Sequence, residues 1–403
     1  MDRVFDVYLA KKDQPESDAY AELSLPAAPY QMQDAFDRLR LAEGDALYGE
    51  ITEYHQFEGL STLLDGSCGL YGLNALAQKL SELDARQCTA FAGLLKMERE
   101  KNQSVPISRL VNMAYSTGCC HVVDEALNDC QLGRFCAENG FVPGVDELPD
   151  AVFELLDFER IGREHRQREG GVLVERSMDH PGGYVERHDE LTEAYKTLEL
   201  TPETPDYTIL LEVSKGFLHN PGYDSGKTVQ LKLPAAPDAL DAALAALNVR
   251  DWRGTSWRCL DCRAPTLAEM ISDAEGGIDS LNRLAQRLAD MEPQTLTAYK
   301  ALLEAVNCQD LQSAGQLMDT LDQYTFSPQY SSPIGVAKDE LSVILRSDEA
   351  ARITPHLNLY QYGQELIQRY GGALTGYGLI ERKDGQPIQA MEIQPRQGGM
   401  EMM

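Results

Sequence analysis

Leucines spaced three or four residues apart predict the helices in the centre of this chain. A stripe with this period indicates a helix that buries one face. One such stripe consists of Leu73, Leu76, Leu80 and Leu83, and a second of Leu281, Leu284, Leu288 and Met291. Similar spacing predicts further helices over 31–41, 107–115, 124–139, 149–162, 191–200 and 238–247. Gly140 is placed to end the helix over 124–139.

Short apolar runs between polar turn residues predict strands. The runs cover 4–10, 20–25, 171–176, 183–187, 207–213, 228–233 and 376–382. The runs over 4–10 and 20–25 are expected to form one hairpin, and those over 207–213 and 228–233 a second. Each hairpin is followed by a predicted helix.

Three segments recur at one offset. Leu73-Asn-Ala-Leu-Ala-Gln-Lys-Leu80 returns as Leu281-Asn-Arg-Leu-Ala-Gln-Arg-Leu288, and 281 − 73 = 208. The same offset relates Leu25–Pro29 to Leu233–Pro237 and Thr89–Leu95 to Thr297–Leu303. A period of this length fits a whole domain. We therefore expect an elongated α+β protein made of two tandem copies.

Each copy is expected to contain a small N-terminal β-hairpin and helix module, a helical middle, and a C-terminal module of a helix and short strands. The boundaries that follow are 1–190 for the first copy, 191–206 for a linker and 207–388 for the second copy. The linker contains Thr201-Pro-Glu-Thr-Pro205, and proline-rich polar segments favour loops. Residues 389–403, rich in Gln, Met and Gly, are expected to be a disordered tail.

Acidic composition limits the partners of the chain. Its 403 residues include 64 acidic and 36 basic side chains, which gives a formal charge of −28 and a pI near 4.6. Such a chain should avoid nucleic acid and anionic membranes and should bind basic surfaces. No apolar signal region begins the sequence and no apolar run approaches the ~20 residues of a membrane span. We therefore expect a cytoplasmic protein, with its nine cysteines reduced.

The cysteines offer two candidate sites, and neither has the pattern of an active centre. Cys259-Leu-Asp-Cys262 is half of a zinc site or a redox pair, but no second Cys-x-x-Cys exists. Cys119-Cys120-His121 places a thiol next to an imidazole in sequence, whereas catalysis needs contact in space. Neither a phosphate-binding loop nor a His-x-x-x-His pattern occurs. We expect no enzyme activity, no cofactor and no metal.

Acidic residues are the candidate functional residues. Asp150, Glu154 and Asp157 would share one face of a single helix over 149–162. The alternative interpretation of any one acidic stripe is an ordinary solvent-exposed helix face without a binding role. The residues predicted to form an acidic partner-binding surface are Asp34, Asp37, Glu43, Asp45, Glu50, Glu53, Asp146, Glu147, Asp150, Glu154, Asp157, Asp261, Glu269, Asp273, Glu275 and Asp279.

The total charge suggests a geometric comparison with DNA. Duplex DNA carries one negative charge per ~1.7 Å, so a charge of −28 corresponds to about 14 base pairs, or about 48 Å of duplex. An elongated acidic body of that length would fit a basic groove that normally receives DNA.

Two segments resemble one known family. Leu148-Pro-Asp-Ala-Val-Phe-Glu-Leu-Leu-Asp-Phe-Glu-Arg-Ile-Gly-Arg163 looks like the acidic closing segment of ArdA-type antirestriction proteins. Val7-Tyr-Leu-Ala-Lys11 and the strand after it are similar to the N-terminal hairpin of that family. The whole chain resembles long, tandem-duplicated ArdA-like proteins of mobile genetic elements. In the second copy Leu359-Tyr-Gln-Tyr-Gly-Gln364 departs from the acidic segment.

This resemblance implies a DNA-mimic inhibitor that occupies the DNA-binding groove of a type I restriction-modification enzyme. Its partner would be the methyltransferase core or another DNA-binding defence enzyme, with no direct nucleic-acid or membrane binding. The chain would be a monomeric pseudo-dimer or a homodimer. One alternative is a mimic of DNA or RNA that inhibits another defence nuclease, such as a CRISPR effector. A second is a metal- or thiol-dependent enzyme that uses Cys259 and Cys262, or Cys119 to His121.

Overall fold

Helices and small antiparallel sheets form the chain, which is therefore α+β, as its sequence predicts. The computed structural model describes residues 3–13, 18–41, 45–64, 69–100, 105–145, 147–177, 180–198, 204–216, 227–274 and 277–389. The strands are β1 (Phe5–Lys11), β2 (Tyr20–Leu25), β3 (Leu47–Glu53), β4 (Cys120–Val123), β5 (Val172–Val174), β6 (Gly183–Arg187), β7 (Ile209–Lys215), β8 (Thr228–Leu233), β9 (Thr255–Cys262), β10 (Tyr324–Ser327), β11 (Ala373–Thr375) and β12 (Gly378–Arg382).

Fifteen α-helices lie in the described residues. They are α1 (Pro29–Leu39), α2 (Leu70–Leu80), α3 (Ala85–Arg99), α4 (Ile107–Tyr115), α5 (Asp129–Glu138), α6 (Asp150–Phe153), α7 (Phe158–Glu169), α8 (Pro237–Leu247), α9 (Ala268–Ser272), α10 (Ile278–Ala289), α11 (Pro293–Ala305), α12 (Leu311–Thr320), α13 (Pro333–Ile344), α14 (Ser347–Ile353) and α15 (Leu359–Arg369). Of these helices, none is long and apolar enough to cross a membrane.

Four three-stranded sheets occur within the described residues, and they have two patterns of strand order. The orders β2-β1-β3 and β8-β7-β9 place the first strand of a hairpin in the centre. The orders β4-β6-β5 and β10-β12-β11 place the last strand in the centre. In the latter two sheets Cys120 lies opposite Arg187, and Tyr324 lies opposite Arg382.

The two predicted hairpins are each followed by the same local arrangement. The Leu25–Pro26 and Leu233–Pro234 peptide bonds are cis, and a proline begins the next helix in each case. Asn74 accepts a hydrogen bond from the Ala27 amide (2.8 Å) and donates one to the Ala27 carbonyl (3.0 Å). Asn282 makes the same two bonds with Ala235, at 2.7 and 2.9 Å. The asparagine of each repeated leucine segment therefore ties helix α2 or α10 to the turn after the hairpin.

Two compact units divide the chain, and their boundaries interleave. The first unit consists of Met1–Tyr8, Glu22–Ala27 and Gly49–Pro202, and the second of Leu9–Ala21, Ala28–Tyr48 and Glu203–Met403. Helix α1 thus belongs to the second unit, although it follows the first hairpin in sequence. The predicted boundaries 1–190, 191–206 and 207–388 concern the two copies and stay a prediction, while the tail from residue 390 lies outside the described residues.

A large apolar core lies in the second unit. Helix α10 contributes the predicted stripe, with Leu281, Leu284 and Leu288 buried against strands of the β8-β7-β9 sheet. In the first unit Leu73, Leu76 and Leu80 of α2 are likewise buried. The stripe pattern therefore identified the buried helix faces correctly, because an amphipathic helix gains stability mainly by burying its apolar side.

Several predicted element bounds are wrong. The helix predicted over 149–162 is two helices, α6 and α7, since the Asp157 side chain caps the start of α7. The helix predicted over 124–139 begins only after Asn128, whose side chain caps α5, although it ends before Gly140 as expected. Within 191–200 the described residues form only a short 3-10 turn at Ala194–Thr197. Strands β3, β4, β9, β10 and β11 lie outside every predicted strand.

Candidate functional site

The segment that carries the family resemblance begins one helix and crosses another. Asp157 accepts a hydrogen bond from the Arg160 amide at 3.1 Å, which starts α7. A Cβ atom on Gly162 would lie 1.9 Å from the carbonyl oxygen of Asp129 and 2.8 Å from the Gly133 nitrogen. Only glycine therefore permits α7 to cross α5 this closely. Capping and helix packing account for these positions of the motif.

The predicted acidic stripe over 149–162 does not form, because its members lie on two elements. Glu147 and Asp150 are exposed. Glu154 instead accepts two hydrogen bonds from Arg134, at 3.3 and 2.7 Å. Asp157 is used as the helix cap, and Asp146 lies outside the described residues. Two of the four described carboxylates thus have structural partners.

Helix α7 itself is not acidic. It carries three glutamates and four arginines, which are Arg160, Arg163, Arg166 and Arg168. Arg166 forms a bidentate pair with Asp129, at 2.8 and 3.0 Å. This hydrogen-bonded pair lowers the pKa of the Asp129 carboxyl. The surface of α7 is therefore a mixture of ion pairs, unlike the uniform anionic face that its first residues suggested.

Asp34 and Asp37 of α1 pair with a buried lysine in the second unit; Asp34 is itself buried and Asp37 is half-buried, so their assignment to an exposed acidic surface is wrong. Lys300 Nζ lies 2.8 Å from Asp34 Oδ1 and 2.9 Å from Asp37 Oδ2, and its side chain is 1% exposed. The Tyr377 hydroxyl donates to Asp34 at 2.8 Å. Arg38 completes the cluster, with Nε 3.2 Å from Asp34 Oδ2. Burial, followed by the charge of Asp34, raises the pKa of Tyr377.

Asp261 is also buried, with 2% exposure, and cannot contribute to an exposed surface. One carboxylate oxygen accepts from the Tyr30 amide (3.2 Å) and the Tyr207 hydroxyl (3.0 Å). The other accepts from the Cys262 amide at 3.0 Å. Burial raises the pKa of this carboxyl, although the three donors act in the opposite direction. The start of α1 is therefore fixed to strand β9 through a buried carboxylate.

The remaining predicted carboxylates are dispersed over both units. Asp45 pairs with Lys11 at 2.8 Å. The exposed members are Glu50, Glu53, Glu269, Asp273 and Asp279. Glu43 and Glu275 lie outside the described residues. The structure thus assigns Asp34 and Asp261 to the interior, pairs half-buried Asp37 with Lys300, and leaves fewer carboxylates for a partner than the sequence suggested.

Three of the candidate cysteines have environments that disfavour the thiolate. Burial raises the pKa of Cys259 to about 12 and that of Cys262 well above its usual value. Burial likewise raises the pKa of Cys120 to about 11. The ring of His121 packs against His188, with centroids 4.4 Å apart. Since the thiolate is the nucleophile and metal ligand, these thiols are poorly suited to either role.

One group with metal-binding side chains was missed by sequence reasoning. Asp6, Glu53 and His55 of the first unit place ligand atoms within 4.8 Å of one another. His55 Nε2 lies 3.0 Å from Asp6, and Nδ1 lies 3.5 Å from Glu53. A metal ion can use only one ring nitrogen, so it would have to displace one of these contacts. The distance in sequence between Asp6 and the other two residues gives no motif that could have revealed the group.

Comparison with known proteins gives no family model that matches this chain, and no curated protein matches it.

Proposed function

We propose that this chain is a non-enzymatic antirestriction protein that imitates DNA and occupies the DNA-binding groove of a type I restriction-modification enzyme. The net charge of −28 is the observation that carries the proposal. A basic groove that receives phosphates would attract such a chain over long range and bind it by charge complementarity. Inhibition by occupation requires no catalytic group.

We further propose that the chain contains two copies of one ArdA-like fold. The paired strand orders and the matching Asn74 and Asn282 hydrogen bonds support this proposal. Asp157 and Asn358 each cap a helix five residues before a glycine at a close helix crossing. This shared spacing also supports the proposal of two copies. The second subunit of a dimeric mimic would then be supplied within one chain.

The carboxylates that serve the proposal best are exposed and have no described structural role. Glu147 and Asp150 satisfy this condition in the first unit, and Glu269 and Asp279 in the second. Glu154 and Asp157 are weaker candidates, because the first is paired with Arg134 and the second caps a helix. Mutation of the first four residues therefore tests charge without removing an internal contact.

Competition with duplex DNA tests the proposal. Fluorescence anisotropy would follow a labelled duplex bound to a type I methyltransferase core while this protein is added at two salt concentrations. We expect the protein to displace the duplex, with an affinity that falls as salt rises. Neutralising Glu147, Asp150, Glu269 and Asp279 to their amides should weaken displacement by roughly tenfold, since exposed charge pairs contribute ~0.2–1 kcal/mol each.

The matched control exchanges Glu and Asp at the same four positions and keeps every charge. It should compete as well as the natural sequence, while circular dichroism verifies that both variants fold. Unchanged DNA binding by the enzyme at saturating protein would rule out the proposal. Equal competition by the amide and control variants would show that these four carboxylates are not the ones that bind.

A further inference from the structure

Glu186 and Glu381 occupy matching positions in the two C-terminal sheets. Each immediately precedes an arginine on the central strand, and each arginine lies opposite the first residue of an edge strand. Both glutamates therefore project from the same face of their sheet, which is the face covered by a pair of crossing helices. Any difference in their surroundings comes from the side chains that those helices and strands supply.

Glu186 has two partners within the first unit. His165 Nε2 lies 3.3 Å from its carboxylate, and the Tyr184 hydroxyl donates to it at 2.9 Å. His165 lies three residues after the crossing glycine of α7, and Tyr184 lies three residues before Arg187. The carboxylate is thus satisfied by groups on the helix and on its own strand.

Glu381 lacks these partners, because leucine stands at both matching positions. Leu366 lies three residues after Gly363, the crossing glycine of α15, and Leu379 lies three residues before Arg382. Within the part of the chain that the structure describes, the side-chain carboxylate of Glu381 forms no hydrogen bond or ion pair, although its backbone pairs with β10. Burial raises the pKa of its carboxyl. A half-buried carboxylate without a donor is destabilising, so a ligand that supplies a donor would be favoured.

A groove of about 790 Å³ opens beside Glu381 in the second unit. Leu379 and Val336, both buried, form part of its lining, and Tyr330 and Tyr370 provide aromatic side chains. This volume is within the range of ~300–1,000 Å³ found for small-molecule sites. The groove therefore places the unpaired carboxylate of Glu381 beside buried apolar side chains.

The groove occurs where the first unit has an aromatic side chain. The carbonyl closest to the crossing glycine belongs to Asp129 in the first unit and to Pro333 in the second. Counted from these two residues, Phe135 corresponds to Asp339, and Cys136 corresponds to Glu340. Phe135 stacks against Phe141 at 6.1 Å. Asp339 instead accepts from Tyr330 at 2.9 Å, and Glu340 adds a second carboxylate to the groove lining. Polar residues thus replace apolar packing at this end of α13.

The basic side chains along the groove have other contacts or lie exposed. Arg382 pairs with Asp384 through two bonds, at 2.9 and 2.5 Å. Lys383 donates to the Asp322 carbonyl at 2.6 Å. Arg369 is exposed. None of these cations lies within ion-pair distance of Glu381 in the described structure.

We infer that this groove binds an organic cation with an apolar stem, an alkylguanidinium or alkylammonium group, whose charged head pairs with Glu381. The stem would lie along Leu379 and Val336, and the tyrosines would contact the cation through their ring faces. The ligand chemistry is shared by a free polyamine and by an arginine or lysine side chain of another protein. This inference stands apart from the proposed antirestriction activity.

Isothermal titration calorimetry at ~150 mM salt tests the inference, since salt at this level screens nonspecific attraction to an acidic chain. The probes are agmatine, spermidine and a short peptide with blocked ends and one arginine. We expect saturable binding of at least one probe at one site. Tighter binding of the peptide would identify a protein side chain as the source, and tighter binding of agmatine or spermidine a free small molecule.

Glu381→Gln keeps the side-chain shape and removes its charge, so it should weaken binding about tenfold or more. Glu365→Gln, an exposed change on α15 outside the groove, should leave binding unchanged. The double variant Leu366→His and Leu379→Tyr gives Glu381 the partners that Glu186 has, and should also weaken binding. The inference is overturned if no probe binds saturably, or if Glu381→Gln binds as well as the natural sequence.

Discussion

The crossing of α5 and α7 predicts a large effect for a very small substitution, Gly162→Ala. The added Cβ would lie 1.9 Å from the Asp129 carbonyl oxygen. Restoring an ordinary separation of roughly 3.5 Å would require the helices to part by roughly 1.6 Å. The obstacle is backbone, which cannot move aside as a flexible side chain can. The substitution therefore acts on the packing of two whole helices.

The expected magnitude follows from two opposing effects. Overpacking of a tight contact costs about 1–3 kcal/mol, and a backbone clash belongs at the upper end of this range. Alanine recovers up to ~1 kcal/mol of helix propensity relative to glycine. The net loss should be about 2 kcal/mol, which corresponds to a fall in Tm of roughly 4–8 °C for a unit of this size.

Differential scanning calorimetry measures the fall in Tm, and hydrogen exchange with mass spectrometry shows whether faster exchange is confined to α5 and α7. Gly118→Ala is the matched control in the same unit, because a Cβ there meets nothing within 4 Å. It should change stability by no more than ~0.5 kcal/mol. If the Tm of Gly162→Ala equals that of Gly118→Ala and hydrogen exchange in α5 and α7 is unaltered, the close helix crossing does not require glycine at position 162.

Three further predictions concern buried polar groups. Lys300→Met should destabilise the second unit by about 3–5 kcal/mol in urea unfolding, since it leaves two carboxylates without their buried partner. The control Lys232→Met removes an exposed ion pair and should cost under ~1 kcal/mol. Equal losses of stability in the two variants would contradict this prediction. Because burial raises the pKa of Asp261, its contribution to stability is present at low pH and is lost as pH rises through the folded-state pKa. The stability of the natural sequence relative to Asp261→Asn should therefore fall as pH rises above about 4, the ordinary pKa of aspartate. A stability difference that does not change with pH would contradict this prediction. At pH 8 iodoacetamide should modify exposed Cys130 well before Cys259, because burial raises the pKa of Cys259 to about 12. Peptide mass spectrometry would measure the order of modification, and faster modification of Cys259 would contradict the prediction.

Periodicity predicted the helices that bury a continuous stripe, such as α2 and α10, and it predicted both hairpins. It missed β4 and β10, because four-residue strands with mixed polarity are too short to show alternation. It also joined α6 to α7, since apolar spacing persists across Leu155 and Leu156 although the Asp157 cap starts a new helix. Cap residues carry more information about helix boundaries here than periodicity does.

The candidate carboxylates were harder to predict, because sequence gives charge but not burial. Asp34 and Asp37 lie on α1 with Arg38, a spacing typical of a solvated helix face. Their partner Lys300 is far away in sequence, and nothing around it indicates that it is buried. Likewise, Glu186 and Glu381 are each followed by an arginine, and whether the carboxylate has a partner depends on one residue of the covering helix and on the residue two positions earlier on its own strand.

Helix α1 lies in the second unit while both of its flanking strands contribute residues to the first. A gene fragment starting at the apparent repeat boundary near residue 207 would therefore encode Lys300 and Asp261 without the helix that covers them. Such a fragment should be prone to aggregation, and limited proteolysis near residue 207 should not release a stable C-terminal half. If the chain arose by gene fusion, the position of α1 would make the fusion difficult to reverse, because the C-terminal half would lose the helix that contacts Lys300 and Asp261.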